Sequence, residues 1–301
     1  MILRNALLFL SRQAWLQRPL ARSRVTRRLV ARFIAGETLD DALAVADKLY
    51  AEGILSTLDH LGEHVTSLAE AESSLQHSLD ALRNLRNRAT LSIKLTQFGL
   101  DISADECRRL TSTLAEAAHA AKFQIEIDME SSAHTQLTLD VVHHLHASYG
   151  NVRAVLQAYL YRTEADLASL CCAGIPVRLC KGAYHEPPDL AFPRKREVDA
   201  NYRKLAAILL ERGVRPAFAT HDQEIIRDVT AAIGERGLAP GLVEFQMLYG
   251  IRRDLQRDLV RRGFPVRLYV PYGSAWYPYF MRRLAERPAN LAFLLRALFR
   301  R

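Results

Sequence analysis

The feature that most constrains this chain is an alternation. Short runs rich in β-branched and aromatic residues, at 54–58, 90–95, 123–129, 152–159, 177–180, 216–220, 243–247 and 266–270, are separated by long helical stretches such as 104–121, 137–149, 196–212, 223–236 and 254–262. A strand followed by a helix and then another strand requires a right-handed crossover and a parallel sheet. Eight such units within about 250 residues favour a closed (βα)8 TIM-like barrel over an open doubly wound sheet, both of the α/β class. No internal repeat and no flexible interdomain linker interrupts the pattern.

A different kind of sequence precedes the first run. Residues 1–36 hold eight arginines and no acidic residue, which leaves 33 basic and 33 acidic residues in the rest of the chain. The net charge of +8 therefore belongs to one arm and not to the body. A nucleic-acid binder would carry its surplus on the folded body, so that function class is excluded. The arm reads as basic amphipathic helices broken at Pro19 and stopped at Gly36, suited to an anionic lipid surface or to a transit signal. Against both stands a plainer alternative, an arm that packs on the domain. Thr38, with Asp41 three residues later, opens a further helix that stops near Gly53. The expected division is a basic N-terminal helical arm over 1–50 and the barrel over 51–301. Four cysteines without CxxC spacing point to a reducing compartment, and no apolar run approaches the roughly 20 residues of a membrane span. A cytoplasmic location follows, with the arm as the means of peripheral attachment to the inner face of the cell membrane.

Barrels build their sites at the C-terminal ends of the strands. There this chain places Asp59-His60, Lys94, Asp128 with Glu130, Gln157, Lys181-Gly182-Ala183-Tyr184, Thr220-His221-Asp222, Glu244 with Gln246, and Tyr269. Strands often end in polar residues, so position alone assigns about half of these to a ligand. The connection 185–194, with three prolines, is the irregular one and a lid candidate. On the last helix Tyr279, Arg282, Arg283 and Glu286 share one face. Adjacent arginines repel unless an anion compensates them, and their forked donors suit a carboxylate.

Other chemistries lack their signatures. There is no GxGxxG after a strand, no phosphate-binding GxxxxGK[ST] and no GxSxG elbow. His143, His144 and His146 lie mid-helix without zinc spacing, so no metal site is expected. Lys94 or Lys181 could form a Schiff base, as in barrel aldolases, and periodicity leaves that alternative open.

The segments 156–163, 177–184, 219–222, 244–250, 266–273 and 279–288, among them Arg178-Leu179-Cys180-Lys181-Gly182-Ala183-Tyr184 and Tyr279-Phe280-Met281-Arg282-Arg283-Leu284-Ala285-Glu286, resemble the FAD-dependent proline dehydrogenases of the monofunctional, short bacterial type. The resemblance implies a barrel carrying FAD across its strand ends. It implies oxidation of L-proline to 1-pyrroline-5-carboxylate, the first step of proline catabolism, with electrons passing to a membrane quinone. By matching motif, Arg282 and Arg283 clamp the carboxylate and Glu286 fixes their rotamers. Tyr184, Leu248, Tyr269 and Tyr279 wall the ring, while Lys94 and Asp128 complete a polar floor. Arg178 stands near the flavin N5, and Gln157, Lys181, Gly182, Ala183, Thr220, His221 and Gln246 hold the rest of the cofactor. Lys94, Asp128, Arg178 and Tyr269 form the expected catalytic set. A hydroxyproline-preferring variant would differ at one or two wall residues.

Overall fold

The computed structural model describes residues 30–86 and 88–286, with residues 282–286 described by their backbone alone. The expected arm therefore lies mostly outside the described residues. A capping box opens α1 (Leu39–Ala51), where the Thr38 hydroxyl accepts from the Asp41 N–H at 3.2 Å and Asp41 accepts from the Thr38 N–H at 3.1 Å. From there β1 (Leu55–His60), α2 (Leu68–Asn84), β2 (Thr90–Ile93), α3 (Ala104–Ala120), β3 (Ile125–Ile127), α4 (Thr135–Tyr149), β4 (Val152–Gln157) and α5 (Thr163–Cys172) follow in order. The second half continues with β5 (Val177–Cys180), α6 (Lys195–Arg212), β6 (Ala217–Ala219), α7 (Gln223–Glu235), β7 (Glu244–Leu248), α8 (Arg253–Arg261), β8 (Val266–Tyr272) and α9 (Trp276–Glu286). Ser67, Ser103 and Asp222 cap α2, α3 and α7 by accepting first-turn N–H groups, each worth about 1 kcal/mol.

All eight strands are parallel and pair in sequence order, and β8 returns to β1 to close the barrel, as expected. The closing pair runs from Leu55 opposite Arg267 to His60 opposite Tyr272. This long pairing carries β1 and β8 two residues beyond the expected ends, which brings Asp59 within its strand. Successive side chains in a strand face opposite sides. One set, including Leu58, Ile93, Ile127, Leu156, Leu179, Phe218, Phe245 and Leu268, is buried beneath the helices.

The other set points into the lumen, and it is charged where most barrels are filled with branched apolar residues. Arg153 Nη1 lies 2.7 Å from Glu244 and 3.4 Å from Glu126, and Arg267 Nε lies 3.1 Å from Glu244. Arg267 also donates to the carbonyl oxygens of Ser56 at 2.8 Å and Arg88 at 3.1 Å. Those carbonyls lie at the beginning of β1 and just before β2, so this network seals the N-terminal end. The C-terminal end is left to a second polar cluster.

Residues 33–36, the end of the arginine-rich stretch, pack on the barrel. Phe33 and Ile34 are buried with Leu61, Ile251, Trp276, Tyr277 and Phe280. The Ala35 N–H donates to Pro271 and the Gly273 N–H to Gly36, at 2.9 and 3.0 Å. A Cβ on Gly250, whose φ is +79°, would stand 1.7 Å from the Arg32 carbonyl, so this approach requires glycine.

Burial opposes the charge of Glu244, but Arg267 and Arg153 overcome it and pull the carboxyl down to about 2. Its folded value lies below the unfolded one of about 4.3, so its contribution is complete above that pH and drains away as pH falls toward the folded value. Glu244→Gln should cost about 3–5 kcal/mol at neutral pH by leaving the arginines undercompensated. It should also flatten the acid loss of stability, and chemical denaturation from neutral to acid pH checks both effects.

Candidate active site

Three strands and one turn converge on a single carboxylate. Asp128, just past β3, accepts from Ser92 Oγ at 2.7 Å through Oδ1 and from the Tyr269 hydroxyl at 2.6 Å through Oδ2. Arg178 Nη2 is ion-paired to Oδ1, and Lys94 Nζ lies 3.4 Å from Oδ2. Lys94, immediately after β2, also donates to Asp59 Oδ1 at 2.9 Å and to the Tyr269 hydroxyl at 3.0 Å, with Glu63 at 3.7 Å. Arg178 Nη1 is held from below by Glu126 at 2.6 Å and by Gln246 Oε1 at 3.1 Å. The Tyr269 ring lies between the two cations, 5.5 Å from the Arg178 guanidinium carbon and 5.7 Å from Lys94 Nζ.

The charges within this cluster are set by its neighbours. Burial alone would neutralise Asp128, but Arg178 and then Lys94 outweigh it and hold the carboxyl below its usual range. Burial likewise opposes the Lys94 charge, but Asp59, Tyr269 and Asp128 keep the ammonium protonated well above its ordinary value. Burial, followed by Asp128 and Asp59, raises the Tyr269 phenol, which stays neutral and can donate. The cluster thus presents a fixed anion, two fixed cations and a hydroxyl between them. A lysine held protonated is a poor nucleophile, which weighs against the Schiff-base alternative at Lys94.

Of the expected wall residues, Tyr269 is in the cluster and Leu248 is half-buried at the end of β7. Tyr279 is buried in the apolar group that also contacts Leu248, and Tyr184 is half-buried after β5. The side chains of Arg282, Arg283 and Glu286 lie outside the described residues, although α9 carries their backbone.

The expected cofactor residues occupy the ends of β4 to β7. Gln157 donates to the Glu130 carbonyl at 2.8 Å. The Gln246 amide is engaged by Glu126, Glu244 and Arg178, which places it behind Arg178. Thr220 Oγ1 accepts from the Asp222 N–H at 3.1 Å. His221 Nε2 accepts from the Leu248 N–H at 2.9 Å, which puts the proton of a neutral ring on Nδ1. Lys181 is paired with Asp199 and with Asp222, the latter at 2.7 Å. Gly182 has φ +115°, and a Cβ there would stand 2.4 Å from the Tyr159 ring, so the turn requires glycine at this position.

The connection expected to be a lid is fastened. Phe192 N–H donates to Tyr159 at 2.8 Å and Tyr161 N–H to Leu190 at 3.0 Å. Glu186 accepts from the Ser132 N–H at 2.8 Å. A prolines-only view of this loop could not show these partners, because all of them come from distant turns.

Sequence reasoning passed over Ser92, Glu126 and Glu63 and gave Asp59 no role. A signal existed in Ile125-Glu126-Ile127-Asp128, where acids alternate with apolar residues in and just past a strand buried on both faces. Of the His143, His144 and His146 stretch in α4, His144 is exposed near Ser112, while His143, near Ser169, and His146 are half-buried.

Comparison with known proteins places this geometry in context. A family model described as proline dehydrogenase matches residues 42–296. The chain is 38% identical over 301 residues to "Proline dehydrogenase 2" of Bacillus subtilis (strain 168), covering 99% of both chains. It is 39% identical over 284 residues to "Proline dehydrogenase" of Deinococcus radiodurans, covering 90% of each. Among solved structures, proline utilization A (PutA) from Bdellovibrio bacteriovorus, inactivated by N-propargylglycine, superposes with a TM-score of 0.81 at 26% identity. That match covers 89% of this chain and 34% of the PutA chain.

Borohydride reduction in the presence of small aldehydes or ketones should leave Lys94 and Lys181 unmodified, because each ammonium is paired with two or more carboxylates. Peptide mass mapping checks this, and a reduced imine at either lysine would reinstate the Schiff-base alternative.

Proposed function

The chain belongs to the proline dehydrogenase family, and from that premise we propose that it oxidises L-proline to 1-pyrroline-5-carboxylate, with FAD as hydride acceptor and a membrane quinone as the destination of the electrons. The observation that carries this reading is the buried group of Lys94, Asp128, Arg178 and Tyr269 at the C-terminal mouth of the barrel. Cofactor binding is supported by the donor set there. A guanidinium at Arg178, an ammonium at Lys181, and hydroxyl and imidazole groups at Thr220 and His221 suit an acceptor-rich ring edge and a pyrophosphate, with Gln246 supporting Arg178 from behind. When bound, FAD supplies the two-electron acceptor that no amino-acid side chain provides.

The protein's own groups do the rest by position and field. Arg282 and Arg283 take the substrate carboxylate, oriented by Glu286, and Tyr184, Leu248, Tyr269 and Tyr279 confine the ring. Holding the reacting carbon against its acceptor in this way can contribute several kcal/mol (~7 at the favourable end). Loss of hydride from the carbon beside nitrogen leaves a cationic imine. The Asp128 carboxylate, kept ionised by Arg178 and Lys94, stabilises that developing charge without having to reorganise. Among the described residues no helix is long and apolar enough to cross a membrane. Electron delivery to a quinone then calls for surface contact, which the arginines of the arm supply on anionic lipid while the chain resides in the cytoplasm.

The absorption spectrum of the purified protein should show bound flavin that bleaches on anaerobic addition of L-proline. A colourless protein that takes up no FAD would end the flavoenzyme reading, and bleaching by hydroxyproline alone would redirect the substrate. Arg282→Met should raise KM roughly 10- to 100-fold, from the loss of about 1.5–3 kcal/mol of charge-assisted hydrogen bonding, and leave flavin content unchanged. A chain starting at Val30, which keeps Phe33 and Ile34, should sediment with anionic vesicles less than the full chain does. Equal sedimentation would remove the arm from membrane binding.

A further inference from the structure

Asp59 is the penultimate residue of β1 and is fully buried. Its Oδ1 accepts from Lys94 Nζ at 2.9 Å, while Oδ2 is equally buried and has no hydrogen-bond partner. Leaving a buried carboxylate oxygen unpaired is costly, and nothing in the packing of β1 requires an acid here. The cost is explained by what the other oxygen does. Lys94 Nζ has three acids within reach: Asp59 at 2.9 Å, Asp128 at 3.4 Å and Glu63 at 3.7 Å. Of these contacts only Asp59 and the Tyr269 hydroxyl, at 2.9 and 3.0 Å, are hydrogen bonds.

We propose that Asp59 is the positioning residue for Lys94, anchoring Nζ so that it donates to the Tyr269 hydroxyl and leaves that hydroxyl's own proton directed at Asp128. Without this anchor the remaining acids draw the ammonium across the site. Tyr269 then loses its donor, and the Tyr269 to Asp128 bond loses the partner that orients it. Asp59 touches no reacting atom and acts through Lys94. The inference rests on the proposed proline oxidation for its kinetic consequences and on geometry alone for the placement of Nζ.

The charged and titratable groups facing Asp59 are Lys94 from β2, Asp128 from β3, Glu63 from the loop after β1, and Tyr269 and Tyr272 from β8. Burial raises the Asp59 carboxyl, Lys94 opposes the rise and Asp128 adds to it, leaving it at about 6. The anchoring form is the ionised one, present above that pH and lost as pH falls through it.

The test compares the holoenzyme with Asp59→Asn and Asp59→Glu. For Asp59→Asn the expected result is a fall in kcat/KM of up to about 100-fold at alkaline pH, as a displacement of about 1 Å can produce. The acid limb seen near pH 6 in the unsubstituted enzyme should vanish, while flavin content and thermal midpoint are kept. Asp59→Glu should restore part of the rate and the acid limb. An unchanged kcat/KM and pH profile in Asp59→Asn would overturn the proposal, as would a loss of rate that only follows loss of flavin or of fold. A crystal structure of either variant supplies a check independent of substrate. In Asp59→Asn, Nζ still at 3.0 Å from the Tyr269 hydroxyl would overturn the placement whatever the enzyme oxidises. Failure of the unsubstituted enzyme to bleach with proline would instead count against the proposed function.

Discussion

Everything at the C-terminal mouth depends on one buried carboxylate being shared. Asp128 is contacted by Ser92, Lys94, Arg178 and Tyr269, from β2, the turn after it, β5 and β8. An isolated ion in such a place would neutralise itself. Two cations and two hydroxyl donors keep it charged, and in return it fixes the directions of all four partners. The arrangement is preorganised, since each of these side chains is held by protein partners.

The same logic continues downward through the barrel. Arg178 is held above by Asp128 and below by Glu126, and Glu126 and Glu244 tie Gln246, Arg153 and Arg267 into the network that closes the N-terminal end. The lumen is therefore a stack of compensated charges running from floor to site. Its rigidity comes from geometry, because each strand contributes an inward residue every second position and the closed sheet brings all of them to one axis. An apolar lumen would give comparable stability. It would not hold Arg178 at a set height.

The periphery is built differently. Around the mouth the segment 30–36, α9 and the turn after β7 share an apolar group containing Phe33, Trp276, Phe280 and Ile251. The connection 185–194 is fastened to the β3 and β4 turns through Glu186, Leu190 and Phe192. These contacts frame the site with packing and backbone hydrogen bonds, while the charged groups stay within the strands.

Much was legible in the linear chain because it is local or periodic. The alternation of strands and helices, the Thr38 capping box, and most of the polar residues at the strand ends follow from short-range rules of propensity and period; Glu244, expected at the C-terminal end of its strand, instead opens β7 and belongs to the N-terminal network. Lys94, Asp128 and Tyr269 could be singled out in this way, since strand ends face one side of any such barrel, whereas Arg178, the second residue of β5, came only from the family resemblance. Tertiary structure alone decided which of them meet. That Asp59 faces Lys94, that Glu126 supports Arg178, and that the expected lid is fastened all depend on residues 35 to 54 positions apart that touch only when the sheet closes. The ionisation of the cluster was hidden for the same reason. A side chain's type is written in the sequence, but its charge state is set by burial and by neighbours, and both come into being only when β8 pairs with β1.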